Sequence, residues 1–189
     1  DRVRYPIDPK RDIYIMANTW GTGETKNWSQ SAAREENVRM EIDSQKDLGI
    51  DVQQIDDGWP GPITFAKVWK PVPVLDFGLV KKKVSVDGEA YSKTSQKLSM
   101  YPQGWGPIRS YAKDQNIRLG LWCNAKVPLS DLKWNFDHGG FKSYKIDFVK
   151  ASNYQQLNEL MTKVRSFVAY TDHQTRMNWD VTEHPPRIG

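Results

Sequence analysis

The chain has 189 residues, 38% of them hydrophobic and 26% charged, with a formal net charge of +4. That length suits one domain with a core of its own, and the composition excludes a disordered chain. The charge is mild for a nucleic-acid surface, no apolar run approaches membrane-spanning length, and the single cysteine, Cys123, excludes an internal disulfide or a thiolate metal cluster.

The chain opens on Asp1 rather than methionine. This points to processing, trimming or excision and leaves the compartment open, an extracellular or periplasmic setting being compatible. Residues 1–11 are polar, with Pro6 and Pro9, and form a lead-in. The run from Asp12 to Trp20 predicts a strand with Trp20 and Gly21 at its exit, followed by a polar loop to Ser31. Glu35 to Leu48 predicts a helix: acidic residues open it, Val38, Ile42 and Leu48 make an apolar stripe, and Gly49 ends it. Ile50 to Ile55 is the next strand, with Asp56, Asp57, Gly58 and Trp59 at its exit.

From Pro60 to about Gly104 this pattern breaks. Pro71, Pro73, the lysine-rich run around Lys82 and the Asp87-Gly88 pair predict an inserted region of extended segments with a hairpin turn. Pro107 to Gln115 is a helix with Ile108, Tyr111 and Ala112 on its apolar face. Ile117 to Cys123 is a strand, with Trp122 and Asn124 near its exit and a buried, inert thiol expected at Cys123. Leu129, Leu132 and Phe136 mark a short helix that Gly139 and Gly140 break. Tyr154 to Val168 is the clearest helix, with Leu157, Leu160, Met161, Val164 and Val168 on one face and Glu159, Lys163 and Arg165 opposite. Arg176 to Val181 is the last strand, and Glu183, His184 and Arg187 lie in the loop after it.

The segment from Phe141 to Phe148 organises the rest. As a strand it puts Lys145 and Asp147 on one face, and Tyr144, Ile146 and Phe148 on the other, towards covering helices. An ammonium and a carboxylate on a buried strand are costly unless paired or used. Two readings fit: a structural ion pair, or a nucleophilic or general-base carboxylate beside a cation that favours its ionised form.

Alternation of strands and helices implies parallel strands with crossover helices. Trp20, Asp56, Asp57, Trp59, Trp122, Asn124, Asp147 and Asp180 all collect near strand exits, where such folds place their sites. The expected fold is α/β, of the (β/α)8 barrel type, with only about the first five strand–helix units in this chain. Residues 1–189 form one catalytic barrel domain, incomplete, with the insertion at about 60–104. No GxGxxG or Walker sequence is present, so a nucleotide-binding reading is poor. Carboxylates with indole walls would suit a hexose, acids for its hydroxyls and rings for its apolar face. Glycoside cleavage needs two carboxyl groups across the anomeric carbon, roughly 5 Å apart when configuration is retained. The histidines show no metal-ligand spacing.

Asn18-Thr19-Trp20-Gly21, Leu48-Gly49-Ile50-Asp51 with Ile55-Asp56-Asp57-Gly58-Trp59, Gly120-Leu121-Trp122 and Tyr144-Lys145-Ile146-Asp147 together resemble successive barrel-strand motifs of the α-galactosidases of glycoside hydrolase clan D. The melibiase type, family 36, is the nearest pattern, and the resemblance covers most of the chain outside the insertion. It implies Asp147 as the nucleophile that forms a covalent glycosyl-enzyme and Lys145 as a contact to sugar hydroxyls. It implies Asp56 and Asp57 as binders of the outer galactose hydroxyls, and Trp20 as a pocket wall. Trp59, Trp122, Asp180 and Arg187 are the further candidate substrate contacts. The family's general acid/base comes from about the sixth strand, expected beyond Gly189, and the stretch from Trp179 to Thr182 matches the fifth-strand pattern only loosely.

The expected activity is that of a retaining exo-α-glycosidase on terminal α-galactosides. It needs no metal or cofactor, and neither a nucleic acid nor a membrane is expected as partner. The alternatives are a catalytically incomplete carbohydrate-binding fragment and a raffinose-type transglycosylase. A homo-oligomer, or the remainder of the barrel, is the expected protein partner, since open sheet edges need covering.

Overall fold

The computed structural model describes residues 8–21, 32–60, 70–71, 82–86, 89–93 and 100–180. In chain order these form α1 (Pro9–Asp12), β1 (Met16–Asn18), α2 (Glu35–Leu48), β2 (Val52–Ile55), β3 (Lys82–Val86), β4 (Glu89–Lys93), α3 (Gly106–Asp114), β5 (Arg118–Asn124), α4 (Leu129–Gly139), β6 (Ser143–Asp147), α5 (Tyr154–Tyr170) and β7 (Arg176–Trp179). Strands β1, β2, β5, β6 and β7 make one sheet in that order, every pair parallel. Strands β3 and β4 pair antiparallel with each other, Val86 opposite Glu89. No described helix is long and apolar enough to cross a membrane.

Local sequence explains where the elements stop. Gly49 ends α2 at φ 70°, a left-handed conformation that lets the Ile50 N–H reach the Gln45 carbonyl at 3.2 Å. Asn153 caps α5 by accepting the Gln156 N–H at 2.9 Å. The strand expected over Asp12–Trp20 is shorter than its pattern, because Asp12 belongs to α1: its carboxylate accepts the Asp8 N–H at 2.8 Å and closes a helical turn. Ile13 and Ile15 are accordingly exposed. Leu48, expected on the apolar stripe of α2, is also exposed, and Gln45 takes the inward position with its amide bonded to Gln53.

The strand order runs without reversal, and right-handed crossovers then lay the helices on one face of the sheet. Helix α2 packs on α3, α3 on α4 and α4 on α5. The register sorts the side chains cleanly. Ile55, Leu121, Tyr144 and Met177 are aligned across four strands, with Cys123, Ile146 and Trp179 one layer on, and all belong to or pack against the core. Against them lie Ile42, Ile108, Leu132 and Phe167 from the helices. An aromatic chain runs through this layer, with Trp59 5.2 Å from Trp105, Trp105 4.9 Å from Phe141, Phe141 6.0 Å from Tyr144 and Tyr144 4.9 Å from Phe167, centroid to centroid. Such pairs add to the stabilisation that burial of their area already provides.

The opposite face is polar. Gln54, Gly120, Ser143 and Arg176 align across β2, β5, β6 and β7, then Trp122, Lys145 and Asn178, then Asn124 and Asp147. Gly120 is required here by close approach: a Cβ at this position would lie 2.4 Å from Ser143 Oγ. Gly120→Ala should therefore destabilise the fold by ~1–2 kcal/mol. Adding Ser143→Gly should recover most of that loss, a non-additivity that thermal unfolding of the single and double variants would reveal.

At the N-terminal end of the sheet, residues 8–15 are tied to strands beyond their own. The guanidinium groups of Arg118 and Arg176 each lie 5.5 Å from the Tyr14 ring centroid, and Arg176 pairs with Asp12. The segment leading into one edge strand is thus bonded to the other edge strand.

Candidate active site

The polar face becomes acidic at the C-terminal ends of the parallel strands. Asp56 follows β2, Asp147 ends β6 and Asp180 follows β7. Lys145, two residues before Asp147 and so on the same face, reaches all three. Its Nζ is 3.2 Å from Asp180 Oδ2, 3.4 Å from Asp56 Oδ2 and 4.0 Å from Asp147 Oδ2. Burial pulls the Lys145 pKa down. The charges of Asp56, Asp147 and Asp180 and the hydrogen bond to Asp180 together outweigh it, so the net shift is upward from the ordinary 10.5. The residue is held as an ammonium.

Asp147 is buried and oriented on both oxygens. Oδ2 accepts the Trp122 indole N–H at 2.8 Å, and Oδ1 accepts the Phe148 backbone N–H at 2.5 Å. Its own carbonyl accepts the Ala125 N–H at 2.7 Å, which ties the strand end to the loop after β5. Lys163 of α5 pins that loop, its Nζ donating to the Ala125 carbonyl at 2.5 Å and the Val127 carbonyl at 2.9 Å. Expected on the polar face of its helix, Lys163 instead lays its stem inward, and burial lowers its pKa. Burial raises the pKa of the neighbouring Cys123 thiol, which is free and enclosed.

Asp56 is more heavily engaged. Its carboxylate accepts the Gln54 amide at 3.0 Å, the Asp57 N–H at 2.8 Å and Lys145, while its own N–H donates to Thr19 Oγ1 at 2.9 Å. A carboxylate offers about four acceptor sites, so roughly one remains for a ligand. Asp57 is buried immediately beside it.

The structure therefore brings together Asp56, Asp57, Lys145, Asp147, Asp180 and Trp122. Trp20 lies exposed at the exit of β1, its backbone N–H donating to Asn18 Oδ1 at 3.0 Å. Trp59 and Trp122, expected to wall a pocket, are placed otherwise. Both rings are buried and offer little surface to a ligand. Trp59 packs on Trp105 and donates its indole N–H to the Trp122 carbonyl at 2.8 Å, while Trp122 spends its own N–H on Asp147. Arg187 lies outside the described residues, as do Glu183 and His184.

Three contributors escaped the sequence reading. Gln54 and Thr19 hold Asp56, and Gln54 could have been found from its period-two relation to Asp56 on a buried strand. Phe148, expected to face the helices with Tyr144 and Ile146, turns away instead. Its φ is 54°, it is partly exposed, and its ring meets Trp122 edge-on at 6.3 Å. No pattern of side chains signals a positive φ at such a residue.

No protein-family model and no curated protein matches this chain. Solved structures do. The α-galactosidase I from Mortierella vinacea is 13% identical over 88% of this chain and 40% of its own, with a TM-score of 0.55. A β-L-arabinopyranosidase of glycoside hydrolase family 27 from Geobacillus stearothermophilus is 11% identical over 93% and 49%, with a TM-score of 0.58. The α-galactosidase from Saccharomyces cerevisiae, solved with raffinose, is 12% identical over 88% and 35%, with a TM-score of 0.55. The chain spans less than half the length of each. At these identities the likeness is one of fold: the five parallel strands and their helices are arranged as in part of these glycosidases.

Proposed function

We propose that this chain is part of the (β/α)8 barrel of a retaining exo-α-glycosidase that hydrolyses terminal α-galactosides, of the α-galactosidase type of clan D. The observation that carries the reading is the Lys145 ammonium shared by Asp56, Asp147 and Asp180 at the exits of three strands of one parallel sheet. The strand order without reversal and the single helix layer support a barrel, since a doubly wound sheet reverses its order at a switch point. The nearness to family 36 rests on the strand motifs alone.

In this mechanism Asp147 attacks the anomeric carbon and forms a covalent glycosyl-aspartate as the glycosidic oxygen leaves. Trp122 and the Phe148 amide hold the carboxylate so that little motion is needed at the moment of attack. Lys145 contacts hydroxyls of the bound sugar, Asp56 and Asp57 take the outer hydroxyls, and Trp20 and Arg187 complete the pocket. A second carboxyl group protonates the leaving oxygen and then activates water. Asp180 is not given that role, because its carboxylate is already bonded to Lys145.

The stereochemical outcome tests the double displacement. With the complete protein and an aryl α-galactoside, the first product seen by proton NMR should be the α-anomer of galactose, before mutarotation. A β-anomer appearing first would overturn the covalent route. A second reading is favoured by the fraction of each glycosidase that the chain spans: these residues alone bind galactose without turning a glycoside over. Calorimetric titration beside a turnover assay on the 189-residue chain separates the two.

A further inference from the structure

Among the described residues, four other than glycine have a positive φ: Asn116, Phe148, Asp172 and His173. Asn116 follows α3, and Asp172 and His173 follow α5. These are helix ends, where the left-handed conformation is ordinary, and asparagine, aspartate and histidine are the types that enter it readily. Phe148 is different. It is a bulky aromatic residue directly after a strand, and it adopts φ 54° immediately next to Asp147. An outlier of this kind persists only where its surroundings hold it, and it asks for a reason.

The geometry points to Phe148 as a positioning residue for the Asp147 carboxylate, acting on both oxygens. At this left-handed turn the Phe148 N–H meets Asp147 Oδ1 at 2.5 Å, a contact set by the torsions of Asp147 itself. An extended residue here would leave that N–H in place but carry the ring and the onward chain elsewhere. The same turn removes the Phe148 ring from the helix face that Tyr144 and Ile146 occupy and sets it edge-on to Trp122, with the ring planes at 86°. Trp122 is the donor to the other oxygen, Oδ2, at 2.8 Å. Phe148 therefore supplies the first donor through its amide and, through its left-handed φ, braces the ring that carries the second. This deepens the proposed glycosidase reading, and its kinetic arm rests on that reading. Its spectroscopic arm does not.

Phe148→Ala removes the brace and keeps the amide. In the complete protein, the Trp122 indole N–H resonance, assigned by its loss in Trp122→Phe, should move away from its wild-type position towards the one it takes in Asp147→Asn. On an aryl α-galactoside, kcat should fall by ~10-fold or more, with KM within about twofold. Phe148→Tyr should restore both. Phe148→Gly, which adopts a positive φ without strain and keeps the amide, should match Phe148→Ala in both readouts and serves if the alanine variant does not fold. An unmoved indole resonance in the alanine and glycine variants would overturn the proposal, whether or not the protein cleaves glycosides. A moved resonance with unchanged kcat would overturn the catalytic part of the claim. A moved resonance in a protein whose wild type turns over no glycoside would sustain the positioning and count against the glycosidase reading instead.

Discussion

Asp147→Asn is expected to lower kcat on an aryl α-galactoside by ~10³-fold or more. The amide has nearly the shape of the carboxylate, so the fold should survive. It cannot attack as the carboxylate does, and one of its two ends is now an NH2. Asp147 accepts a donor on each oxygen, Trp122 on one and Phe148 on the other, so either orientation of asparagine sets donor against donor. In the proposed mechanism both effects act on the step that forms the glycosyl-enzyme. Asp147→Ala should be equally inactive, but the space it opens should admit azide and restore measurable turnover as a glycosyl azide. Turnover in Asp147→Asn within tenfold of wild type would remove this residue from the nucleophile role.

The second large effect is on stability. Lys145→Met leaves Asp56, Asp147 and Asp180 around a site with no ammonium, and their mutual repulsion is no longer offset. Removing one partner from a buried ionic cluster costs ~3–5 kcal/mol, and the Lys145 side chain is only 14% exposed. The loss should appear as a lowered midpoint in urea unfolding at neutral pH. Because the folded-state pKa of Lys145 lies above 10.5, its contribution is fully present below that value and is lost as pH rises through the folded pKa. Wild-type stability should therefore decline above about pH 10.5 in a step that Lys145→Met lacks. A variant as stable as wild type, with the same alkaline decline, would show that the three acids do not depend on this cation.

Period two was enough to put Lys145 and Asp147 on one face, and the strand-exit rule was enough to bring Asp56 and Asp180 to the same end. Helix α2 was equally legible, since acidic residues open it and a left-handed glycine must close it. The misreadings share a cause: each residue had two physically sound places to go. An indole suits a pocket wall or a buried brace: Trp59 packs in the core, and Trp122 is buried beside Asp147, each with its N–H group satisfied. A lysine stem can lie along apolar surface while its head finds carbonyls, as Lys163 does. Ile13 and Ile15 alternate like strand residues, yet the strand starts only at Met16. The turn at Phe148 was invisible because nothing in a bulky aromatic type favours a positive φ, so only its surroundings impose one.

The pairing of Asp12 with Arg176 also bears on how the chain assembles during synthesis. Each parallel strand lies beside its predecessor in the sheet, so every unit finds its neighbour already made when it leaves the ribosome. The first helical turn is the exception. Its ionic partner is among the last of the described residues to be translated, so α1 is latched only once β7 has emerged.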